Sequence, residues 1–287
     1  MIYLVNRINE IQLTQMKVKN EIYIGANNRR SLIDIEIPKE NKNELVLFVH
    51  GYKGYKDWGA WNIVQKEFVK NGIGFVKINL SHNGGTVENP IDFPDLKAFG
   101  ENRYTYEIED IISAIDFISK KIDLEKFKLT LIGHSRGGGD AILAGSHPKV
   151  DRVITWAGID DIPSRFPKGE ELKKWKENGV RYIKNGRTKQ DMPHFYSFYE
   201  DYLDNKSVLD IKSNAKNLNI PTLHIHGEKD EAVSSLCAEN LQKWTGGDLL
   251  IIANTGHTFG TKHPWHLETL PDAMQKVVDS SVKFILD

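Results

Sequence analysis

Leu129-Thr130-Leu131-Ile132-Gly133-His134-Ser135-Arg136-Gly137-Gly138-Gly139 is a short apolar run that ends in Gly-x-Ser-x-Gly and opens into small residues. A run of this kind reads as a buried strand over residues 128–132, with a helix starting near Asp140. A serine hydroxyl is a weak nucleophile unless it is exposed, next to a base, and near donors for a developing oxyanion. A sharp strand-to-helix turn meets all three needs. It requires glycine two residues to either side, where a Cβ would collide with the adjoining strand or helix. Short patterns of this kind also arise by chance, so the rest of the chain must decide.

Two later segments repeat the placement. Ile220-Pro-Thr-Leu-His-Ile-His-Gly-Glu-Lys-Asp230 reads as a strand followed by a loop with carboxylates, and Asp248-Leu-Leu-Ile-Ile-Ala-Asn-Thr-Gly-His257 as a strand followed by a loop with a histidine. Ser135, Asp230 and His257 are thus expected beyond the carboxyl ends of three strands, where open α/β sheets build their sites. Their order along the chain, serine then acid then histidine, suits a nucleophile, an orienting carboxylate and a base. Glu228, Glu231, Asp160 and Asp161 are rival acids, and the last two also suit a helix N-cap.

Strand and helix patterns alternate throughout. An antiparallel hairpin is expected over residues 11–38, turning at Gly25-Ala-Asn-Asn. Further strands are expected at 45–50, 74–80, 153–156, 222–226 and 249–252. Helices are expected near 60–70 and 103–121, the latter with an isoleucine stripe at 108, 111, 112, 115 and 118, and a final helix over 272–286. This rhythm implies a mostly parallel central sheet wrapped on both faces. Residues 159–216 break it. They are charged and aromatic, with Phe166, Trp175, Tyr182, Phe195-Tyr-Ser-Phe-Tyr199 and Tyr202, and read as a helical lid. The division expected is a core of 1–158 and 217–287 with a cap insertion of 159–216. Trp156, Phe195 and Tyr199 are candidate walls for an acyl or aryl group, with fixing of the lid as the plainer role for the aromatics. His82 and His134 are placed on the rim. Arg187 and Lys189 could meet an acidic substrate or simply be exposed.

On these residues the chain resembles the α/β-hydrolase fold family. The matching positions are His50-Gly-Tyr-Lys-Gly54, Gly133-His-Ser-Arg-Gly137, His226-Gly-Glu-Lys-Asp-Glu-Ala-Val233 and Thr255-Gly-His257. It looks most similar to the bacterial cinnamoyl/feruloyl esterase and dienelactone-hydrolase-like branch. Dienelactone hydrolases carry cysteine at the position of Ser135, and the dehalogenase and epoxide-hydrolase branches carry aspartate. The resemblance implies a serine hydrolase of carboxylic esters, small acyl or aryl and feruloyl-type among them, working through an acyl-enzyme. It implies a triad of Ser135, His257 and Asp230, with an oxyanion hole from the backbone amides of Tyr52 and Arg136. An acyl-aminoacyl peptidase or thioesterase would use the same triad. A receptor that keeps the fold without catalysis is the reading from another class.

Composition narrows the field. Hydrophobic residues make up 40% and the formal net charge is −1, which fits a globular enzyme and favours neither disorder nor nucleic acid as a partner. The single cysteine, Cys237, excludes an intrachain disulfide. Met1-Ile-Tyr-Leu-Val-Asn-Arg7 lacks the basic start and apolar stretch of a leader peptide, and no run has transmembrane length. The expectation is a cytoplasmic monomer or homodimer acting on a small-molecule ester, away from membranes. No cofactor and no metal are expected, although His224 with His226, and His257 with His263 and His266, have spacings a metal could use.

Overall fold

The computed structural model describes residues 15–287; residues 11–14 of the expected hairpin and the segment read for a leader lie outside them. One eight-stranded sheet organises the chain in the order β1-β2-β4-β3-β5-β6-β9-β10. Its strands are β1 Met16–Ile24, β2 Arg30–Ile37, β3 Glu44–Val49, β4 Gly74–Ile78, β5 Lys128–His134, β6 Arg152–Trp156, β9 Thr222–Gly227 and β10 Asp248–Ile252. From β4 to β10 every pairing is parallel, while β2 is antiparallel to β4 and to β1. The β1–β2 turn is built where Asn27 and Asn28 take positive φ, a conformation asparagine tolerates better than most residues.

Burial on both faces explains the unbroken apolar strands. Every residue of Glu44–Val49 is buried, and so are all but the first of Lys128–His134. Helices α3 Tyr104–Ser119 and α4 Arg136–Ala144 cover one face with Ile111, Ile115, Ala141 and Ile142. Helices α1 Trp61–Lys70 and α9 Asp272–Leu286 cover the other, packing Val64, Phe68, Val277 and Ile285 on Phe48, Phe75 and Ile154. A short helix that the sequence reading did not expect, α2 Leu96–Glu101, is capped by the Asp95 side chain.

Two lysines are buried beside β2 and β4. Lys56 Nζ meets Asp34 Oδ2 at 2.9 Å, Lys77 Nζ meets the same oxygen at 3.2 Å, and both contact Asp57. Opposite charges in this pairing offset a desolvation cost that either lysine would bear alone.

The segment between β6 and β9 stays out of the sheet. It contains α5 Gly169–Asn178, an antiparallel hairpin of β7 Val180–Lys184 and β8 Asp191–Phe195, α6 Ser197–Asp204 and α7 Ile211–Asn217. The reading of this stretch as wholly helical is corrected by the hairpin. Gly179, in the left-handed region, ends α5, and the Asn185 side chain accepts from the amides of Arg187 and Thr188 to close the β7–β8 turn. Asn-Gly at 185–186 between alternating strands is a hairpin signal. Helix α8 Leu236–Thr245 joins β9 to β10. Among the described residues no helix is long and apolar enough to cross a membrane.

Candidate active site

Strand β5 ends at His134 and α4 begins at Arg136, so the whole reversal falls on Ser135, with φ 58° and ψ −119°. Non-glycine residues avoid this conformation, and strain of this kind persists only when its surroundings fix it. The fixing is visible. Ser135 N donates to Trp156 O at 2.9 Å, and Ser135 O accepts from Gly138 N and Ile159 N. A Cβ on Gly133 would fall 1.9 Å from Gly137 O, and one on Gly137 would fall 2.6 Å from Val49 O. Both glycines of the motif are therefore demanded by backbone packing.

Three side chains from three loops meet at this turn. His257 Nε2 lies 2.9 Å from Ser135 Oγ, and His257 Nδ1 lies 2.7 Å from Asp230 Oδ2. The carboxylate partner places the imidazole proton on Nδ1, leaving Nε2 to accept from the hydroxyl. Asp230 Oδ1 accepts from the amides of Ala232 and Val233 at 2.9 Å each. Burial works against the Asp230 anion, but hydrogen bonds from His226, His257 and the Val233 amide outweigh it and hold the carboxyl well below the usual range. Three of the four rival acids are engaged elsewhere: Asp160 accepts from Asn240, Asp161 from the Ser164 amide, and Glu228 from the Asn254 amide.

The loop after β3 approaches the serine closely. A Cβ on Gly51 would stand 2.8 Å from both His134 O and Ser135 Cβ. Among the described residues the backbone N–H groups of Tyr52 and Arg136 donate to no protein acceptor. Unspent donors beside a nucleophile are what an oxyanion needs.

His226, which the sequence reading gave no role beside the acid, is part of the constellation. It is fully buried, and its Nε2 lies 3.1 Å from Asp230 Oδ2 and 2.9 Å from Val233 O. The one local signal was a histidine at the end of the strand that leads to the acid, four residues before Asp230. His224, two residues earlier, is held by the hydroxyls of Thr155 and Thr245. His134 lies against His257, donates its Nε2–H to the His257 carbonyl at 3.0 Å, and is pushed down to about 3, chiefly by burial. It is therefore a neutral donor that anchors the His257 loop. His263 bonds Tyr55 and the Gly59 amide.

Two cavities share Ser135, Tyr52 and His257 as common wall. The larger, about 450 Å³, extends past Trp58, Trp61, His134, Asn185 and His263. The smaller, about 370 Å³, is walled by Arg136, Ile159, Arg165, Arg181, Ile183 and Phe198, among others. His134 thus lines a cavity as expected. Four other candidate wall residues do not. Trp156 is wholly buried, bonded to Ser281 and packed on Phe48 and Trp61. His82 is buried against Ser81 and Tyr106. Phe195 packs over Gly100 of α2. Tyr199 sits in a ring cluster with Phe166, Trp175 and Tyr202. That cluster fixes α5 and α6 together, and Phe198, on the adjacent face of α6, lines the cavity instead.

No protein-family model and no curated protein matches the chain. Solved structures do. Est1E from Butyrivibrio proteoclasticus, solved with ferulic acid bound, aligns over 93% of this chain and 98% of its own at 18% identity, with a TM-score of 0.69. A dienelactone hydrolase from Anabaena variabilis aligns over 95% and 97% at 15% identity, with a TM-score of 0.63. An esterase domain from Rhodothermus marinus aligns over 86% and 91% at 16% identity, with a TM-score of 0.56. The chain has the α/β-hydrolase fold, as its sheet order and helical layers also require.

Proposed function

We propose that this chain is a serine hydrolase that cleaves carboxylic esters through an acyl-enzyme. The observation that carries the reading is the unbroken line Ser135 Oγ, His257 Nε2, His257 Nδ1, Asp230 Oδ2, with links of 2.9 and 2.7 Å, at the junction of two cavities. The similarity in fold to Est1E, whose structure contains ferulic acid, supports aryl esters as a substrate class.

The steps follow from the geometry. His257 Nε2 takes the Ser135 proton as Oγ forms a bond to the ester carbonyl carbon. Negative charge moves onto the carbonyl oxygen, where the Tyr52 and Arg136 amides donate to it. Each such donor is worth about 100- to 1,000-fold in turnover. The carbon–oxygen bond to the alcohol then breaks, and the leaving oxygen collects the proton from Nε2. Water enters, loses a proton to the same nitrogen, and attacks the acyl carbon, releasing the acid and restoring Ser135. Asp230 keeps the proton on Nδ1 throughout and stabilises the imidazolium. Residues 159–216 act as a cap in this reading: Arg181, Ile183, His194 and Phe198 wall one cavity, and Asn185 and Arg187 wall the other.

The test is labelling by a fluorophosphonate, with hydrolysis of 4-nitrophenyl butyrate and methyl ferulate, by the native chain and by Ser135→Ala, His257→Ala and Asp230→Asn. The native chain should label and turn over, and each variant should lose about 1,000-fold or more while keeping its circular dichroism. A folded native chain that neither labels nor hydrolyses either ester would refute the reading.

A further inference from the structure

Three arginines line the smaller cavity beside Ser135 and, among the described residues, no aspartate or glutamate does. They come from separate elements: Arg136 opens α4, Arg165 follows the turn after β6, and Arg181 takes a cavity-facing position of β7 with Ile183 two residues on.

Arg136 is already matched. Its Nη1 lies 3.2 Å from Glu107, and its guanidinium stacks on the rings of Tyr52, Tyr104 and Phe198. Arg165 and Arg181 are not. Arg165 spends one Nη1–H on the Ala232 carbonyl at 3.3 Å, and Arg181 lies over the Trp175 ring at 4.6 Å. Among the described residues neither forms an ion pair, and the Nε of each is buried without a partner. An arginine cannot shed its charge at working pH, and buried N–H donors left unmatched are costly. A carboxylate entering the cavity would bring acceptors to both guanidinium groups. Ile159, Ile183, Phe198 and Val233 supply an apolar stretch of the remaining wall, beside the rings of Tyr52, Tyr104 and His194.

We infer that the smaller cavity is an anion-binding subsite, and that the esters cleaved at Ser135 carry a second group that is a carboxylate, received by Arg165 and Arg181. The planar guanidinium fork matches a carboxylate with two parallel hydrogen bonds, which a neutral ester lacks. The apolar wall then covers the few carbons between the carboxylate and the scissile bond. This inference rests on the ester-hydrolase reading of Ser135.

The experiment compares matched pairs on the native chain. Mono-(4-nitrophenyl) adipate against 4-nitrophenyl hexanoate tests a carboxylate on the acyl side. For the alcohol side the pair is 4-(carboxymethyl)phenyl butyrate against 4-ethylphenyl butyrate. One anionic member should have a kcat/KM roughly 10- to 100-fold above its neutral partner, the size of one hydrogen-bonded charge contact. Which pair shows it assigns the cavity to the acyl or the alcohol portion. Arg165→Ala and Arg181→Ala should bring that ratio toward one, and Arg181→Glu should invert it. Ratios near one for both pairs on the native chain overturn the subsite while leaving the hydrolase reading intact, and need no variant to fold. If no ester turns over, the hydrolase reading fails first, and calorimetric titration with adipate decides the subsite. Binding that disappears in Arg181→Ala sustains an anion site, and no binding ends it.

Discussion

His226 Nε2 lies 3.1 Å from Asp230 Oδ2, the same oxygen that His257 Nδ1 contacts at 2.7 Å. One oxygen thus faces two imidazoles, and the two backbone amides of Ala232 and Val233 hold the other. Both oxygens of the acid are held by contacts other than that of His257.

His226→Leu removes one of these donors and loosens the hold on Oδ2, which His257 alone then contacts. We expect kcat to fall about tenfold with little change in KM, because the lost contact serves orientation and not substrate binding. His226→Gln, whose amide nitrogen reaches toward the same oxygen, should retain most of the rate. Steady-state kinetics on 4-nitrophenyl butyrate check both; equal rates for the leucine and glutamine variants would remove the orienting role.

Gly51→Ala places a methyl 2.8 Å from His134 O and Ser135 Cβ. The loop must retreat, taking the Tyr52 amide with it. Loss of one oxyanion donor predicts a drop of about 100-fold or more in kcat. Fluorophosphonate labelling should slow in step, while the thermal midpoint moves by only a few degrees. A variant that turns over at the native rate would show that this amide stabilises nothing.

Asp57 carries an acid-stability effect. Burial raises its pKa, but Lys77 and Lys56 outweigh burial and hold it at about 2, below its ordinary 3.8. A depressed carboxylate stabilises the fold above the unfolded pKa and loses that contribution as pH falls through the folded one. The contribution, about 2 kcal/mol, should be complete at pH 5 and fade between pH 4 and 2. Urea unfolding of the native chain and Asp57→Asn at pH 6 and pH 2.5 measures it; the gap between the two proteins should narrow at the lower pH.

Asp110 acts in the opposite direction. Burial lifts its carboxyl to about 7 despite hydrogen bonds from the Ala26 and Ser81 amides. Its folded pKa is raised, so the stability it lends is full below the ordinary carboxylate pKa and is lost as pH climbs through 7. Asp140, buried beside Glu107, is raised as well and adds to the trend. The free energy of unfolding should therefore decline by several kcal/mol, about 4 from Asp110 alone, between pH 4 and pH 8. Denaturant titrations across that range check it, and a flat or rising curve would contradict the buried proton.

The frame was legible because its signals are local. Apolar runs such as Leu129–Ile132 need no partner to read as strands, and Gly133 and Gly137 announce a turn that only glycine can flank. The order of Ser135, Asp230 and His257 follows from strand alternation and carboxyl-end placement. Which way a side chain faces was harder to read. A strand buried on both faces gives no clue to which face meets the cavity, so Trp156, at the end of β6, read as a wall and lies in the core beneath α9. Across the junction of β8 and α6, Phe195, Tyr196, Phe198 and Tyr199 offered four neighbours of similar chemistry, and only the helix's rotation selects Phe198. His226 was hidden for another reason: its partner is four residues ahead around a loop, and no periodicity joins a strand to the turn that follows it.

The two cavities have one wall in common, formed by Ser135, Tyr52 and His257. On the proposed mechanism, the first product can depart through one chamber while the acyl group still occupies the other. The vacated chamber is then open to whatever the solution supplies. Water completes hydrolysis, whereas an alcohol of suitable size competes for the same place and carries the acyl group away. The partition between cleavage and transfer is thus set by the shape of a single room, independently of how the nucleophile was first acylated.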